Sequence, residues 1–372
     1  MRKKVVFVTA NLGYGGAQRV MVTLFNHLDR TLFDPYFVSF QGDGPNLQYI
    51  DSPERVVNLN VSRVRFGLHK LVREIRKLTP HVVVSTLGYL NLALILAKPL
   101  LPRKTKLLLR EGTIPSVHFS QNVSHPRIWR WLYRNFYTKA DGVICQSDYM
   151  LDDLAEYLRI PRDKMVRIYN PVDVDRIKEL AGKSPNPYQG DGPQLLAIGR
   201  LAAEKRYDLM LKACVEVRNV FPEAKLTILG SGLAERTLRV QCDQLGVAGS
   251  VHWVGFQSNP YPYLRHAALL VLCSRYEGLP NVVLEALALG TPVVAVDCPG
   301  GLREIAEKTE RLKLVASDGP TRLAEGIIKA LEAKEWQGRG QIEPAFYDRF
   351  GIKSVVAQYE ELIQRVSDAG PF

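Results

Sequence analysis

The sequence contains little cysteine and no long apolar run. Its five cysteines, in 372 residues, include no Cys-x-x-Cys pair. This excludes the common zinc and dithiol motifs and predicts free thiols that fill the core, as in a reducing cytosol. No run approaches the roughly 18–20 apolar residues that a membrane-spanning helix needs. The run Val5–Ala10 is too short for a signal peptide and is better explained as a first strand. We therefore expect a cytoplasmic chain.

Acidic residues are scarce in one part of the chain. The net charge is +11; residues 1–180 contain 27 Lys+Arg and 16 Asp+Glu, whereas residues 181–372 contain 22 of each. Between residues 55 and 134 there are 15 basic residues and only two acidic ones, Glu74 and Glu111. Such an excess favours an anionic partner for the first half, with a solubilising surface as the alternative.

Short apolar, β-branched runs alternate with amphipathic stretches, which predicts parallel sheets covered on both faces by helices. The predicted strands are Val5–Ala10, Tyr36–Phe40, Val56–Leu59, His81–Ser85, Lys106–Leu109, Gly142–Cys145, Met165–Ile168, Leu195–Ile198, Lys225–Leu229, Val251–Val254, Leu269–Cys273, Pro292–Val296 and Lys313–Val315. Proline and glycine interrupt the pattern at 169–193, as in a linker. We predict two doubly wound, Rossmann-like α/β domains, residues 1–172 and 173–345. Ligands bind such sheets beyond the carboxyl ends of the strands, so facing sheets would hold one in the cleft between them.

A glycine-rich turn, Gly13–Arg19, follows the first predicted strand and precedes a helix-like run. Gly15 and Gly16 would let the backbone approach a phosphate at a helix N-terminus. Gln18 replaces the third glycine of the dinucleotide fingerprint, so that fingerprint is absent. A tight turn without a ligand is the alternative.

Two further segments follow predicted strands of the second half. Gly199-Arg200-Leu201 continues to Glu204-Lys205 and places two cations where a diphosphate would bind. Glu277-Gly278-Leu279-Pro280-Asn281 leads into an apolar helix that carries Glu285. The helix N-terminus suits a diphosphate, and the Glu285 carboxylate needs a polar partner, either a ribose diol or a structural cation.

These segments together resemble the large GT-B-fold glycosyltransferase family 4, which includes sucrose synthase-like and bacterial cell-envelope enzymes. The family signature is two glutamates separated by seven residues, here Glu277 and Glu285. The segments at 199–205 and Gly15-Gly16 and the hinge at 170–173 also match. The resemblance implies two Rossmann-like domains, retention of anomeric configuration, and a C-terminal helix, residues 346–372, that crosses back to the N-terminal, acceptor-binding domain.

The resemblance also implies residue roles. Arg200 and Lys205 would bind the donor diphosphate, Glu285 the ribose hydroxyls and Glu277 the donor sugar. Backbone amides around Gly278, Leu279, Pro280 and Asn281 would complete the site, and Phe256 and Gln257 would lie near the base. A UDP-sugar donor is expected, with no cofactor and no metal. The acidic pair Asp173 and Asp175 has the form of a metal motif, but Asp173 is placed to cap the next helix.

One departure from the family pattern concerns a histidine in the N-terminal domain. This chain has Arg110-Glu111 after the corresponding strand. Either residue could face the acceptor, which would make Glu111 a catalytic candidate, or the two could pair with each other.

The segment His125–Ala140 is basic and aromatic, with Arg127, Trp129, Arg130 and Arg134 as candidate membrane or acceptor residues. Its profile suits a helix at an anionic membrane surface; a core-facing helix with a basic outer face is the alternative.

The expected function is transfer of a sugar, such as an N-acetylhexosamine, to a polyprenyl-diphosphate-linked saccharide in bacterial polysaccharide biosynthesis. The enzyme would act peripherally at the inner face of the cell membrane. A hydrolysing UDP-sugar epimerase of the same fold is one alternative. A basic nucleic-acid-binding protein is another, but no nucleic-acid motif is present, so a nucleic-acid partner is not expected.

Overall fold

The computed structural model describes residues 2–13, 15–316, 319–334 and 343–369. They form two α/β units. The first unit contains the chain up to Pro171 together with the C-terminal stretch from Ile352, and the second contains Val172–Gly351. At the start of the second unit the Asp173 side chain accepts a hydrogen bond from the Arg176 N–H at 3.2 Å, which caps the following helix as expected.

The first unit is built on a parallel sheet. Its strands are β1 (Lys3–Asn11), β2 (Phe33–Gln41), β3 (Val56–Asn58), β4 (Val82–Thr86), β5 (Lys106–Arg110), β6 (Gly142–Cys145) and β7 (Met165–Arg167), in the order β3-β2-β1-β4-β5-β6-β7. The helices are α1 (Gly16–His27), α2 (Val64–Leu78), α3 (Gly88–Ala97), α4 (Pro115–Asn122), α5 (Pro126–Phe136) and α6 (Asp148–Leu158). Strand order reverses between β1 and β4, the point where such sheets bind ligands.

The second unit repeats this plan. Its strands are β8 (Gln194–Ile198), β9 (Lys225–Leu229), β10 (Val251–Gly255), β11 (Leu269–Leu272), β12 (Val293–Val296) and β13 (Leu312–Val315), in the order β10-β9-β8-β11-β12-β13. The helices are α7 (Val174–Gly182), α8 (Tyr207–Val220), α9 (Glu235–Gln244), α10 (Tyr261–His266), α11 (Asn281–Ala288), α12 (Leu302–Ala306), α13 (Pro320–Glu332) and α14 (Pro344–Phe350). Here the strand order reverses between β8 and β11.

The last helix, α15 (Ile352–Ala369), belongs to the first unit. Its buried residues Val355, Tyr359 and Ile363 share one apolar core with Phe7 and Phe37 of the first sheet. This confirms the predicted return of the C-terminal helix, and the two parallel sheets confirm the predicted fold class.

Burial of the cysteines also agrees with the sequence. All five are free and buried, as expected for thiols that fill a core. Among the described residues, none of the helices is both long enough and apolar enough to cross a bilayer.

Candidate active site

Backbone hydrogen bonds connect the loops that follow β8, β9, β11 and β12. Gly199 N–H donates to the Leu229 carbonyl at 3.0 Å, and Leu201 N–H donates to the Ser231 carbonyl at 3.0 Å. On the other side of β8, Arg275 N–H donates to the Glu204 carbonyl at 2.8 Å. These loops hold the predicted donor residues at the carboxyl edge of the second sheet, where the strand order reverses.

A glycine is required where the β11 and β12 loops cross. Glu277 N–H donates to the Pro299 carbonyl at 3.0 Å, and Gly301 N–H donates to the Gly278 carbonyl at 3.0 Å. Gly300 lies between them with φ +130°, and a Cβ there would lie 1.5 Å from the Glu277 carbonyl oxygen. A side chain at Gly300 would therefore displace the Glu277 backbone.

Lys205 and Glu277, which are 72 residues apart in sequence, form an ion pair. The Lys205 ammonium donates to Oε1 of Glu277 at 2.5 Å, and the Ser274 hydroxyl donates to the same oxygen at 2.6 Å. The Lys205 side chain is 24% exposed and that of Glu277 is 12% exposed. The ion pair is therefore partly desolvated but still accessible to solvent. Among the contacts of the described residues, no hydrogen bond reaches Oε2 of Glu277.

The second predicted cation, Arg200, is far more exposed. Its guanidinium donates to Glu204 at 2.6 Å, and its side chain is 73% exposed. Because an exposed ion pair of this kind contributes little to stability, Arg200 can change partner at little cost. Both predicted cations therefore have carboxylate partners in the structure.

The remaining predicted donor residues of the second unit lie in α11 and in the loops after β10 and β11. Helix α11 starts at Asn281 and is preceded by Gly278, Leu279 and Pro280. Glu285, within this helix, is 8% exposed. Phe256 and Gln257 follow β10 and are partly exposed.

Burial and negative charge around Glu277 keep the neighbouring acidic groups protonated. Burial raises the pKa of Tyr276 to about 12, with further contributions from Glu204 and Glu277. Burial and the Glu277 carboxylate raise the pKa of the Cys298 thiol to about 12. Nucleophilic thiolate chemistry is therefore not available to Cys298 near neutral pH.

In the first unit, the side chain of Gln18 packs against the glycine-rich turn. Gly15 immediately precedes Gly16, the first residue of α1. The Gln18 side chain folds back over this turn and donates to Oδ1 of Asn11 at 3.1 Å. A Cβ on Gly15 would lie 2.0 Å from Oε1 of Gln18. A side chain at Gly15 would therefore displace the Gln18 amide, which lies at the end of a flexible side chain.

Arg110 and Glu111 are both buried, and their side chains bond to different partners. Arg110 donates to Oγ1 of Thr86 at 3.3 Å and to Oδ1 of Asn170. Glu111 accepts from the Tyr137 hydroxyl at 2.8 Å and from the Gly112 N–H at 2.9 Å. Successive residues at a strand end point to opposite faces, which separates the two side chains. Of the two hypotheses, mutual pairing is not seen.

Desolvation dominates the electrostatics of both groups. It raises the pKa of Glu111 and lowers the pKa of Arg110, and each residue is 1% exposed. The Tyr137 and Gly112 hydrogen bonds oppose the rise at Glu111. A buried carboxylate with a raised pKa is the kind of group that general acid–base chemistry uses.

The basic aromatic helix α5 has one side packed against the core and another side exposed. Tyr133 and Tyr137 are buried and stacked, with ring centroids 4.1 Å apart, and Trp129 packs at 6.4 Å from Tyr133. Ile128 and Trp131 are the exposed apolar residues, at 55% and 57%.

The predicted membrane cations of α5 differ in their surroundings. Arg130 and Arg134 donate to the Tyr157 carbonyl of α6 at 3.3 and 2.9 Å, whereas Arg127 is exposed. Arg130 also lies over the Tyr157 ring, 4.4 Å from its centroid. Arg130 and Arg134 thus join α5 to α6, and Arg127 remains the cation on the exposed side.

Two family models account for most of the chain. The model described as Glycosyltransferase Family 4 matches residues 14–176, and the model described as Glycosyl transferases group 1 matches residues 182–341. The chain belongs to glycosyltransferase family 4. This assignment favours the transferase over the epimerase and the nucleic-acid-binding alternatives.

Individual relatives agree with the family assignment. The glycosyltransferase is 26% identical, over 96% of its length and 99% of the relative's, to a Campylobacter jejuni enzyme. That enzyme is named N-acetylgalactosamine-N,N'-diacetylbacillosaminyl-diphospho-undecaprenol 4-alpha-N-acetylgalactosaminyltransferase. A second Campylobacter jejuni enzyme, a GalNAc-alpha-(1->4)-GalNAc-alpha-(1->3)-diNAcBac-PP-undecaprenol alpha-1,4-N-acetyl-D-galactosaminyltransferase, is 26% identical over 90% of each chain.

Solved structures show the same fold. Anabaena Alr3699/HepE in complex with UDP and glucose superposes with a TM-score of 0.80 at 18% identity, covering 98% of the glycosyltransferase and all of that chain. A glycosyltransferase from Rickettsia africae gives a TM-score of 0.79 at 14% identity, covering 99% of each chain.

Sequence reasoning missed Ser274 and Glu204 as contributors to the site. Glu204 was part of the recognised segment but had no role until its bond to Arg200 was seen. Ser274 carries a weak signal of its own, because a small hydroxyl residue directly after a buried strand often serves a nearby polar group.

Proposed function

We propose that this glycosyltransferase transfers an N-acetylhexosamine from a UDP-sugar to a polyprenyl-diphosphate-linked saccharide, with retention of the anomeric configuration. The names of the two Campylobacter jejuni relatives support the acceptor class and the transferred sugar. The complex of Anabaena Alr3699/HepE with UDP supports a uridine nucleotide. We further propose that the protein works peripherally at the inner face of the cell membrane.

The observation that carries the donor proposal is the pairing of Lys205 with Glu277 and of Arg200 with Glu204 at the strand-order reversal. A diphosphate would give both cations stronger, charge-assisted partners. It would also separate Lys205 from Glu277 and turn that carboxylate toward the donor sugar hydroxyls. Glu285 would take the ribose hydroxyls, and the amides at the start of α11 would face the phosphate.

Charge develops on the departing diphosphate as the bond between sugar and phosphate breaks. Arg200, Lys205 and the α11 N-terminus would stabilise that charge, and stabilisation of this kind often contributes more to catalysis than any other effect. In front-face attack the acceptor hydroxyl bonds to the anomeric carbon while its proton passes to the departing phosphate oxygen. A protein base is then not obligatory, and these two cations take the place of a divalent ion. We place Glu111 as a candidate that assists on the acceptor side.

Membrane association is supported by a second observation on the first unit. Helix α2 and the turn after α3 form an open groove whose apolar floor, Leu68, Val72 and Leu100, is flanked by cations. The flanking cations are Arg65, Arg73, Arg76 and Lys77. Apolar surface beside cations suits an anionic bilayer, which attracts basic residues by about 1 kcal/mol each.

The test is a transfer assay with a panel of UDP-sugars and a synthetic polyprenyl-diphosphate saccharide. We expect transfer from a UDP-N-acetylhexosamine, activity that survives EDTA, and an α-linkage by NMR when the donor is a UDP-α-sugar. A β-linked product would refute retention. Activity lost to EDTA and restored only by Mn²⁺ or Mg²⁺ would refute metal independence and return attention to Asp173 and Asp175.

A further inference from the structure

Two consecutive residues, Cys273 and Ser274, follow strand β11 and are each 1% exposed. They lie between the loop that carries Lys205 and the segment that carries Glu277. Neither residue belongs to the motifs that identify the family. What each side chain contacts gives it a role in the proposed transfer reaction, so this inference rests on the proposed function.

Cys273 contacts the backbone of the lysine loop. Its Sγ lies 3.1 Å from the Lys205 carbonyl oxygen and 3.0 Å from the Arg206 carbonyl oxygen, so one S–H donor is shared between two acceptors. Arg206 has φ +50°, a left-handed conformation that costs free energy in a residue with a side chain. The thiol thus adds a donor at the Lys205 and Arg206 carbonyls, of which the Arg206 carbonyl also accepts from the Leu209 N–H of helix α8 at 3.0 Å.

The thiol is suited to this task because it stays protonated. Burial raises the pKa of Cys273 well above that of an ordinary thiol, and Asp208 adds to the rise. A neutral S–H donates a hydrogen bond, whereas a thiolate beside two carbonyl oxygens would be repelled. The bond from Arg275 N–H to the Glu204 carbonyl, 2.8 Å, fixes the same loop one residue earlier.

Ser274 contacts the other member of the ion pair. Its hydroxyl and the Lys205 ammonium both donate to Oε1 of Glu277, at 2.6 and 2.5 Å. With two donors on Oε1, the carboxylate rotamer is fixed and Oε2 is directed elsewhere. When a donor diphosphate draws Lys205 away, the Ser274 hydroxyl would remain to hold that rotamer.

We infer that Cys273 and Ser274 act as positioning residues, Cys273 for Lys205 and Ser274 for Glu277. Together they set the relative placement of the cation that binds the diphosphate and the carboxylate that binds the sugar. Small displacements of such groups are expensive, because a misplacement of about 1 Å can cost on the order of 100-fold in rate.

The experiment compares Ser274→Ala, Cys273→Ala and Cys273→Ser with Cys214→Ala. Cys214 is a buried thiol in the core of the same unit, so it controls for the loss of packing. We expect Ser274→Ala to lower kcat by about 10- to 100-fold, with a smaller rise in the donor KM, since it removes a hydrogen bond to a charged group. We expect Cys273→Ala to weaken UDP binding more than Cys214→Ala does, and Cys273→Ser, which keeps a donor, to recover most of that loss.

A stability measurement made without substrate tests the contact between Ser274 and Glu277 independently of the proposed function. In a double-mutant cycle on thermal stability, Ser274→Ala and Glu277→Gln should be non-additive because the side chains touch. If the wild type transfers sugar and both Ser274→Ala and Cys273→Ala match Cys214→Ala in kcat and UDP affinity, the inference is wrong. If the cycle shows coupling but the wild type is inactive with every UDP-sugar, the proposed function is wrong, whereas the contact between Ser274 and Glu277 is supported.

Discussion

Both units carry charged side chains at the carboxyl edge of a parallel sheet, but these charges differ in exposure and in bonding partners. In the second unit, Lys205 and Glu277 neutralise each other and remain partly exposed. In the first, Arg110 and Glu111 are adjacent in sequence, almost fully buried, and bonded mainly to neutral groups. Paired, reachable charges can exchange a protein partner for a ligand, whereas desolvation shifts the pKa of buried charges that are bonded mainly to neutral groups. The comparison therefore assigns ligand binding to one edge and proton-sensitive behaviour to the other.

Removal of the paired cations should have the largest effect on ligand binding at the second unit. Lys205→Ala should weaken UDP binding by at least about tenfold, because hydrogen bonds to charged groups are worth roughly 1.5–3 kcal/mol. Arg200→Ala should weaken binding similarly without lowering thermal stability, since its side chain is 73% exposed. Isothermal titration with UDP measures both, with the exposed Lys212→Ala as control. Unchanged affinity in both variants would remove these cations from the donor site.

A second prediction concerns the buried carboxylate. Desolvation raises the pKa of Glu111 in the folded state, so the native protein holds its proton to higher pH than the unfolded chain. Glu111 therefore lowers stability as the pH rises above about 4.5, its ordinary value, and continues to do so up to its raised pKa. Glu111→Gln removes this contribution, and the stability gap between variant and wild type should move in the variant's favour as pH rises through that window.

Chemical denaturation at a series of pH values measures this gap. A gap that stays constant with pH would show that the pKa of Glu111 is the same in the folded and unfolded chain, which would contradict its desolvation. The same variant should transfer sugar more slowly by at most the roughly 10²–10⁴-fold typical of general acid–base assistance. Inactivation far beyond that of Arg200→Ala would point instead to an inverting base at Glu111.

The smallest expected effect concerns the surface of α5. Replacing Ile128 and Trp131 by serine should reduce flotation with anionic liposomes, since both side chains are more than half exposed. Arg127→Glu should add to that loss through charge. UDP affinity should not change, because these residues lie in the other unit. Equal flotation of wild type and variants, or equal binding to neutral and anionic liposomes, would exclude this helix as a membrane contact.

The strands were predictable where both faces are buried and the run is apolar, as in β4 and β11. β2 was predicted to begin at Tyr36, yet it begins at Phe33 and includes Pro35. The proline is tolerated because pairing with β3 starts only at Phe37, so one side of the strand is unpaired at Pro35.

The site was predictable where family motifs name the residue, and not where a contact joins distant segments. Lys205 and Glu277 were both identified, but their ion pair depends on the adjacency of β8 and β11, which periodicity does not encode. In α5 and the turn that follows it, apolar periodicity did not distinguish the buried ring stack of Tyr133 and Tyr137 from the exposed side of Ile128. Only the packing partners of a helix decide which aromatic face is covered.

The return of α15 to the first unit has a consequence for synthesis of the protein. The core around Phe7 and Phe37 includes Val355, Tyr359 and Ile363, which leave the ribosome only after the whole second unit. The apolar surface of the first unit that α15 covers therefore stays exposed while the whole second unit is translated. Domains usually complete themselves in the order of their synthesis. Here the first unit is completed only after the second, so termination of translation before α15 would leave the first unit without part of its core.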